Sequence, residues 1–169
     1  MDPDDSAPFF SDPPPDLSAP AGASSPHLSE PGQGLDAPVD PGDRYETLGL
    51  LGTGGMGRVE AVHDGALGRQ VARKRPRPEV HGAATALVHE AAVTAALEHP
   101  GIVPVYDLGR DADGTPWYTM RLVRGRALRL VIGEAGDATG RLALVRPVLA
   151  AVQAVAHAHD RGVVHCDLK

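Results

Sequence analysis

Residues 45–76 read YETLGLLGTGGMGRVEAVHDGALGRQVARKRP, and the parsing of this stretch decides the fold. Three extended segments, YETLGLLG, RVEAVHD and RQVARKR, are separated by two glycine turns, GTGGMG and GALG. Strand-like runs joined by tight glycine turns predict an antiparallel meander. The prolines of RPRP at 75–78 then break the sheet.

The first turn places Gly52, Gly54 and Gly57 in the pattern G-x-G-x-x-G. Alone this string is weak, since a chain with 20 glycines makes some by chance. A dinucleotide fold needs a helix directly after the glycines, so that the pyrophosphate meets a helix N-terminus. Here the chain runs on as a strand. The absence of G-K-[ST] excludes a Walker loop. Two readings stay open at this point: a hairpin folded over phosphates, and a plain glycine-rich turn.

Downstream the periodicity changes. The Ala-rich run AATALVHEAAVTAAL predicts a helix over 79–98, with Leu87, Ala91, Thr94 and Ala95 on one semi-apolar face, stopped by HPG at 99–101. IVPVYDLGR, a DADG turn and TPWYTMRLV predict a second hairpin. After RGR a short helix is expected, then a Gly/Asp loop at 133–140 and a longer helix over about 141–160. Val145, Val148, Leu149, Val152 and Val155 make an apolar stripe on that last helix, and Pro147 must sit in its first turn or kink it.

Upstream, residues 1–43 hold ten of the 16 prolines, nine of the 22 acidic residues and no lysine or arginine. Without hydrophobic periodicity such a segment cannot offset the entropy of ordering it, and a disordered acidic tail is expected. Its serines (Ser6, Ser11, Ser18, Ser24, Ser25, Ser29) make a phospho-acceptor tail the functional alternative. The remainder carries 13 acidic against 16 basic residues, too mild a balance for a nucleic-acid footprint. With aromatics at 4%, the core must come from Ala, Val and Leu. One cysteine, Cys166, allows no internal disulfide and fits a reducing compartment. The N-terminus has no basic start or apolar run of a leader. The longest apolar stretch, Leu142 to His157, reads as too short to span a bilayer and carries Arg146. A cytoplasmic chain with no membrane segment is the expectation.

The lysines sharpen the reading. The chain has 14 arginines and two lysines, Lys74 in VARK and Lys169 in HCDLK. A planar guanidinium does not replace a compact ammonium that must reach between phosphate oxygens. Where a generic cation suffices this sequence uses Arg, so the two lysines mark positions with a chemical requirement.

Five motifs now stand in one order: YETLGLLGTGGMGRV, VARK, HEAAVTAALEHPGIVPVYDLG, WYTMRLVRGRAL and HDRGVVHCDLK. Over residues 44–169 the chain resembles the eukaryotic-like (Hanks-type) serine/threonine protein kinases of bacteria. The resemblance implies an α+β kinase fold, with a β-rich lobe and its helix over about 44–123. The hinge and first helices of an incomplete second lobe would occupy 124–169. It implies ATP as substrate, Mg²⁺ as cofactor and a protein Ser or Thr hydroxyl as acceptor. Leu51, Gly52, Thr53, Gly54, Gly55, Met56 and Gly57 would form the phosphate-covering loop, where a Cβ at Gly54 would hold the backbone away. Val59 and Ala72 would sandwich the adenine. Lys74 would hold the α- and β-phosphates and pair with Glu90, 16 positions on, with Glu79 the less favourable alternative. Met120 resembles the gatekeeper and Arg121–Val123 the hinge. Asp167 would take the proton of the acceptor hydroxyl, Lys169 would neutralise charge on the transferred group, and His165 would pack beneath the loop.

HCD departs from the family's H-R-D, so control through an arginine contact to a phosphorylated loop is not expected. The given sequence stops at Lys169. The family pattern continues with P-x-x-N and D-F-G, whose Asn and Asp hold the metals, so the metal ligands are expected downstream. The 169 residues alone are therefore expected to be catalytically dead or nearly so, with the apolar stripe of 141–160 exposed. A pseudokinase-like nucleotide- or partner-binding module, or a non-functional gene fragment, is the alternative. Intact Lys74, Glu90 and Asp167 argue against lost catalysis. A metal cluster of His157, His159 and His165 has no supporting spacing.

Overall fold

The computed structural model of the chain describes Pro38, Gly42 and residues 44–168. The expected tail of 1–43 falls almost wholly outside the described residues, and so does Lys169. Five antiparallel strands form one sheet: β1 (Tyr45–Thr53), β2 (Gly57–Asp64), β3 (Arg69–Pro76), β4 (Val105–Arg110) and β5 (Pro116–Met120). Their order is β1-β2-β3-β5-β4. Helix α1 (Ala83–Ala95) lies between β3 and β4 in sequence; α2 (Leu128–Glu134), α3 (Ala138–Ala143) and α4 (Val145–His159) follow β5. The α+β architecture and the two hairpins agree with the sequence reading.

The sheet has a core on each face. In the β2–β3 ladder Val62 faces Val71, and together with Tyr45 and Trp117 they form one buried cluster. The rings of Tyr45 and Trp117 meet edge to face at 5.1 Å, although their strands are separated by two others in the sheet. The sheet must therefore curl. Arg44 closes the curl: its Nη1 donates to Asp107 on β4 at 2.8 Å, its Nε donates to Asp64 at the end of β2 at 3.0 Å, and the Tyr45 hydroxyl also donates to Asp107. The two edge strands are thus bridged by side chains. Gly109 makes the aromatic packing possible, because a Cβ there would stand 2.3 Å from the Trp117 ring. On the opposite face α1 sets Leu87 and Ala91 on Tyr118, with Val105, Leu108 and Met120 around them. Central strand β3 is covered on both sides, so Val71, Ala72 and Arg73 are buried in succession. Buried Arg73 is paired with Glu60 and Thr47.

Several expectations are corrected. Helix α1 starts at Ala83 rather than 79, because Gly82 adopts φ 76°, a left-handed conformation that a helix cannot contain. It ends at Ala95, short of HPG. Ala95 is exposed, and the buried face is Ala83, Leu87 and Ala91. The expected loop at 133–140 contains the start of α3, where the Asp137 carboxylate accepts the Gly140 amide at 2.7 Å as an N-cap. Pro147 sits in the first turn of α4, without its donor being needed there. The helical run Ala138–His159 is 22 residues long, and an 18-residue window within it has mean hydropathy 1.3, enough by length and composition alone to cross a membrane. The run extends on both sides of the apolar stretch Leu142 to His157, and length and composition alone do not make it a membrane span. Core helices of water-soluble domains share that property, and this one carries Arg141 and Arg146. Val145, Leu149 and Val152 of its stripe are each more than half exposed. On its other side Ala154 meets the turn at Gly101, and the His157 ring lies 4.9 Å from His99. His99 itself accepts the Gly101 amide, which fixes that turn.

The closure at Arg44 gives a prediction. Asp64 is fully buried, and the hydrogen bond from Arg44 holds its carboxyl below the ordinary value of 3.8. A carboxyl depressed by folding stabilises the fold above its unfolded pKa, and that stability is lost as pH falls through the lower folded value. Asp64→Asn should lower unfolding free energy by about 2 kcal/mol at neutral pH, the worth of a hydrogen bond to a charged group. The difference between wild type and variant should shrink below pH about 4. Denaturant titration at pH 7 and pH 3 checks both; an equal deficit at the two pH values contradicts the account.

Candidate functional site

Antiparallel register decides which side chains share a face. Gly52 lies opposite Val59, Val59 opposite Lys74, and Lys74 opposite Tyr118. In the next row Ala61 lies opposite Ala72, and Ala72 opposite Met120. The positions from four strands therefore stand on the one face that α1 covers in part. Ala72 is buried and Val59 half-buried, both on this face.

Lys74 reaches from β3 to α1. Its Nζ donates to both carboxylate oxygens of Glu90, at 2.6 and 2.7 Å. The alternative partner, Glu79, sits in the turn before α1 and is taken by Arg77, whose Nε donates to it at 2.8 Å. Glu90 has a second partner that the sequence reading missed: the Tyr118 hydroxyl donates to its Oε1 at 2.9 Å. An aromatic in a strand reads as core, and this one is core, with its ring buried at 3% exposure. Burial first, then the adjacent Glu90 charge and their hydrogen bond, pushes the Tyr118 pKa well above its ordinary value. The hydroxyl therefore remains a donor throughout the physiological range.

The glycine loop is tied back at its tip. The Gly54 amide donates to the Gly57 carbonyl at 2.8 Å, and the Arg77 amide donates to the Met56 carbonyl at 3.0 Å. The glycines differ in what they do for the fold. A Cβ at Gly57 would lie 2.8 Å from the Arg75 carbonyl oxygen and 3.2 Å from Lys74 Cε, so the close approach of β2 to β3 requires glycine. At Gly52 and Gly55 a Cβ meets nothing within 4 Å, and at Gly54 only the Gly57 oxygen at an ordinary 3.7 Å. The chain itself has no steric need for glycine at 52, 54 or 55. Thr53 closes the ladder opposite Arg58. Leu51 and Met56 are exposed.

After β5 the chain leaves the sheet. The Arg121 amide donates to the Pro104 carbonyl at 3.2 Å. Among the described residues, neither the Arg121 carbonyl nor the Val123 amide has a backbone partner. Val123 is exposed. The segment of His165, Cys166 and Asp167 follows α4 without regular structure, and all three residues are exposed. The Asp167 amide donates to His165 Nδ1 at 3.2 Å. Cys166 has φ 60°, rare for a residue with a side chain, and this sharp turn sets the direction of Asp167.

Basic residues gather elsewhere. A cavity of about 660 Å³ between the α1 turn and the β4–β5 turn is lined by Arg58, Arg75, Arg77 and Arg110. Most of these charges are already answered: Arg58 by Glu60, Arg75 by Asp111, and Arg77 by Glu79. It is separate from the Lys74 face and contains none of the expected site residues.

Comparison with known proteins identifies the family and the fold. The protein kinase domain family matches residues 45–169. The serine/threonine-protein kinase PknD of Protochlamydia amoebophila is 38% identical over 144 residues, covering 75% of this chain and 14% of that protein. The DNA damage-responsive serine/threonine-protein kinase RqkA of Deinococcus radiodurans is 40% identical over 138 residues, covering 78% of this chain and 20% of its own length. Among solved structures, the Mycobacterium tuberculosis PknI kinase domain superposes with a TM-score of 0.57 at 27% identity, over 75% of this chain and 53% of that one. The chain belongs to the protein kinase family. It spans a fifth or less of these two curated relatives and about half of the solved domain.

The glycine geometry predicts a split between neighbours. Gly57→Ala should cost about 1–3 kcal/mol of stability through overpacking against β3. Gly54→Ala should leave stability within about 0.5 kcal/mol of wild type. Thermal melts of the two variants check this; equal losses contradict it.

Proposed function

We propose that this chain forms the nucleotide-binding part of a serine/threonine protein kinase. ATP lies under the 52–57 loop, with its adenine between Val59 and Ala72. The Arg121 carbonyl and Val123 amide offer an acceptor and a donor to the adenine edge, whose exocyclic amine donates and whose ring nitrogens accept. Lys74, held by Glu90, binds the α- and β-phosphates. The open space above Gly52, Gly54 and Gly55 supports this fit, since a phosphate can approach backbone there without meeting a Cβ. The observation that carries the reading is the Lys74–Glu90 pair, a lysine on the covered sheet face of a chain that otherwise uses arginine for nearly every cation.

In the complete catalytic domain the γ-phosphoryl group passes to a protein Ser or Thr hydroxyl. The bond from Pγ to the β,γ-bridging oxygen breaks, a bond from Pγ to the hydroxyl oxygen forms, and ADP leaves. Asp167 accepts the hydroxyl proton, and Lys169 answers charge on the transferred group. Magnesium, when bound, neutralises charge on the β- and γ-oxygens. Among the described residues no group of three or more His, Cys, Asp or Glu is placed to hold a metal ion. We assign this part of the protein to the cytoplasm, a reading supported by a single free cysteine at an exposed position.

The reading predicts that ATP raises the melting temperature of this chain and that Lys74→Met abolishes the rise. A rise unchanged in the variant contradicts the site. In any form of the protein that transfers phosphate, Asp167→Asn should retain nucleotide binding and lose on the order of 10²–10⁴-fold in transfer. Transfer at the wild-type rate contradicts the assignment of the base.

A further inference from the structure

Two groups converge on the Glu90 carboxylate, and only one of them, Lys74, belongs to the pair already described. Lys74 and Tyr118 are directly opposite in the β3–β5 ladder, so their side chains rise side by side from one sheet face. Both reach the same carboxylate: Lys74 Nζ to Oε1 and Oε2, and the Tyr118 hydroxyl to Oε1. The environments of the partners differ. The Glu90 side chain is 45% exposed and by itself is free to swing into water, as an ordinary helical glutamate does. Tyr118 is 3% exposed and cannot. Its ring lies in the cluster with Leu87 and Ala91, which flank Glu90 on α1. The ring is thus the apolar seat of α1, and the hydroxyl is a fixed polar point beside it. A buried hydroxyl left without a partner would carry a desolvation cost, so the bond to Glu90 is favoured from both ends.

We propose that Tyr118 is a positioning residue, whose buried hydroxyl fixes the Glu90 carboxylate and, through it, the Lys74 ammonium in the orientation that receives nucleotide phosphates. The inference rests on the reading that Lys74 binds those phosphates. It goes beyond the Lys74–Glu90 pair by assigning a third member, two residues before Met120 on β5, that sets the pair's geometry. Because burial and the neighbouring carboxylate keep the phenol protonated, the hydroxyl acts as a donor over the whole working pH range.

Tyr118→Phe keeps the ring and removes only the donor. Binding of ADP, followed by titration calorimetry, should weaken about three- to tenfold in this variant, the order expected for one hydrogen bond to a charged group. Glu90→Gln should weaken it as well. The double variant should be no weaker than Glu90→Gln alone, because the hydroxyl acts through the carboxylate. Wild-type affinity in Tyr118→Phe, or additive losses in the double variant, would overturn the proposal. Lys74→Met separates this from the nucleotide reading: binding that survives it means the site is elsewhere, whatever Tyr118 does. Hydrogen exchange needs no nucleotide. Amides of α1 around residues 87–92 should exchange faster in Tyr118→Phe and in Glu90→Gln, with no further gain in the double variant. Unchanged exchange in Tyr118→Phe would overturn the proposal even if ADP does not bind at all.

Discussion

The ion pair between Lys74 and Glu90 is the constraint on which the rest of this structure turns. It crosses from sheet to helix, joining residues 16 apart in sequence at 2.6 Å. For it to form, β3 must present Lys74 on the face that α1 covers, and α1 must be held with Glu90 pointing down. Register meets the first condition, because alternation along β3 puts Ala72 and Lys74 on one face and Val71 and Arg73 on the other. Leu87 and Ala91 meet the second by burying their stripe against Tyr118. The charge pair itself is partly exposed, so its Coulombic contribution to stability is modest. What it supplies is orientation: an ammonium held at a known place on an otherwise apolar face.

That orientation would be lost on a sheet free to flatten. The opposite face prevents this. Arg44 at one edge and Asp107 at the other meet across the curl, with fully buried Asp64 as the second anchor of the guanidinium. The Tyr45–Trp117 contact fills the space inside. Pairing matters more than number here. The buried Arg73–Glu60 pair and the Asp64 carboxylate each carry charge in a low-dielectric setting, where one missing partner costs more than the complete pair contributes. The curl thus carries a polar layer that defines one geometry beside an aromatic cluster that supplies the burial.

Much of the architecture was legible in the sequence because its signals are local. Extended runs and glycine turns delimit β1, β2 and β3, and the DADG turn delimits the second hairpin. Lys74 and Glu90 stood out as a scarce residue type and a helical acid at a reachable spacing. What stayed hidden has non-local causes. The Arg44–Asp107 closure spans 63 residues and leaves no periodic trace. The Tyr118 hydroxyl bond depends on cross-strand register that a single segment does not encode. The start of α1 differs because the conformation of Gly82 outweighs helix propensity upstream, and the first residues of α3 read as loop although Asp137 is a good N-cap residue. The glycines are the instructive case. The pattern marks three alike, yet only Gly57 is required by packing, and the freedom left at Gly52 and Gly54 points outward from the protein.

The central claim is that phosphates are received on the Lys74 face. The arginine-lined cavity near Arg58 and Arg75 is the physical rival, since it also offers cations to an anion. Amide chemical-shift mapping with ADP distinguishes the two directly. The account predicts shifts at residues 52–57, at Lys74 and at Val123. Shifts confined to residues 75–82 and 110–116, with the glycine loop and Val123 unmoved, would contradict it.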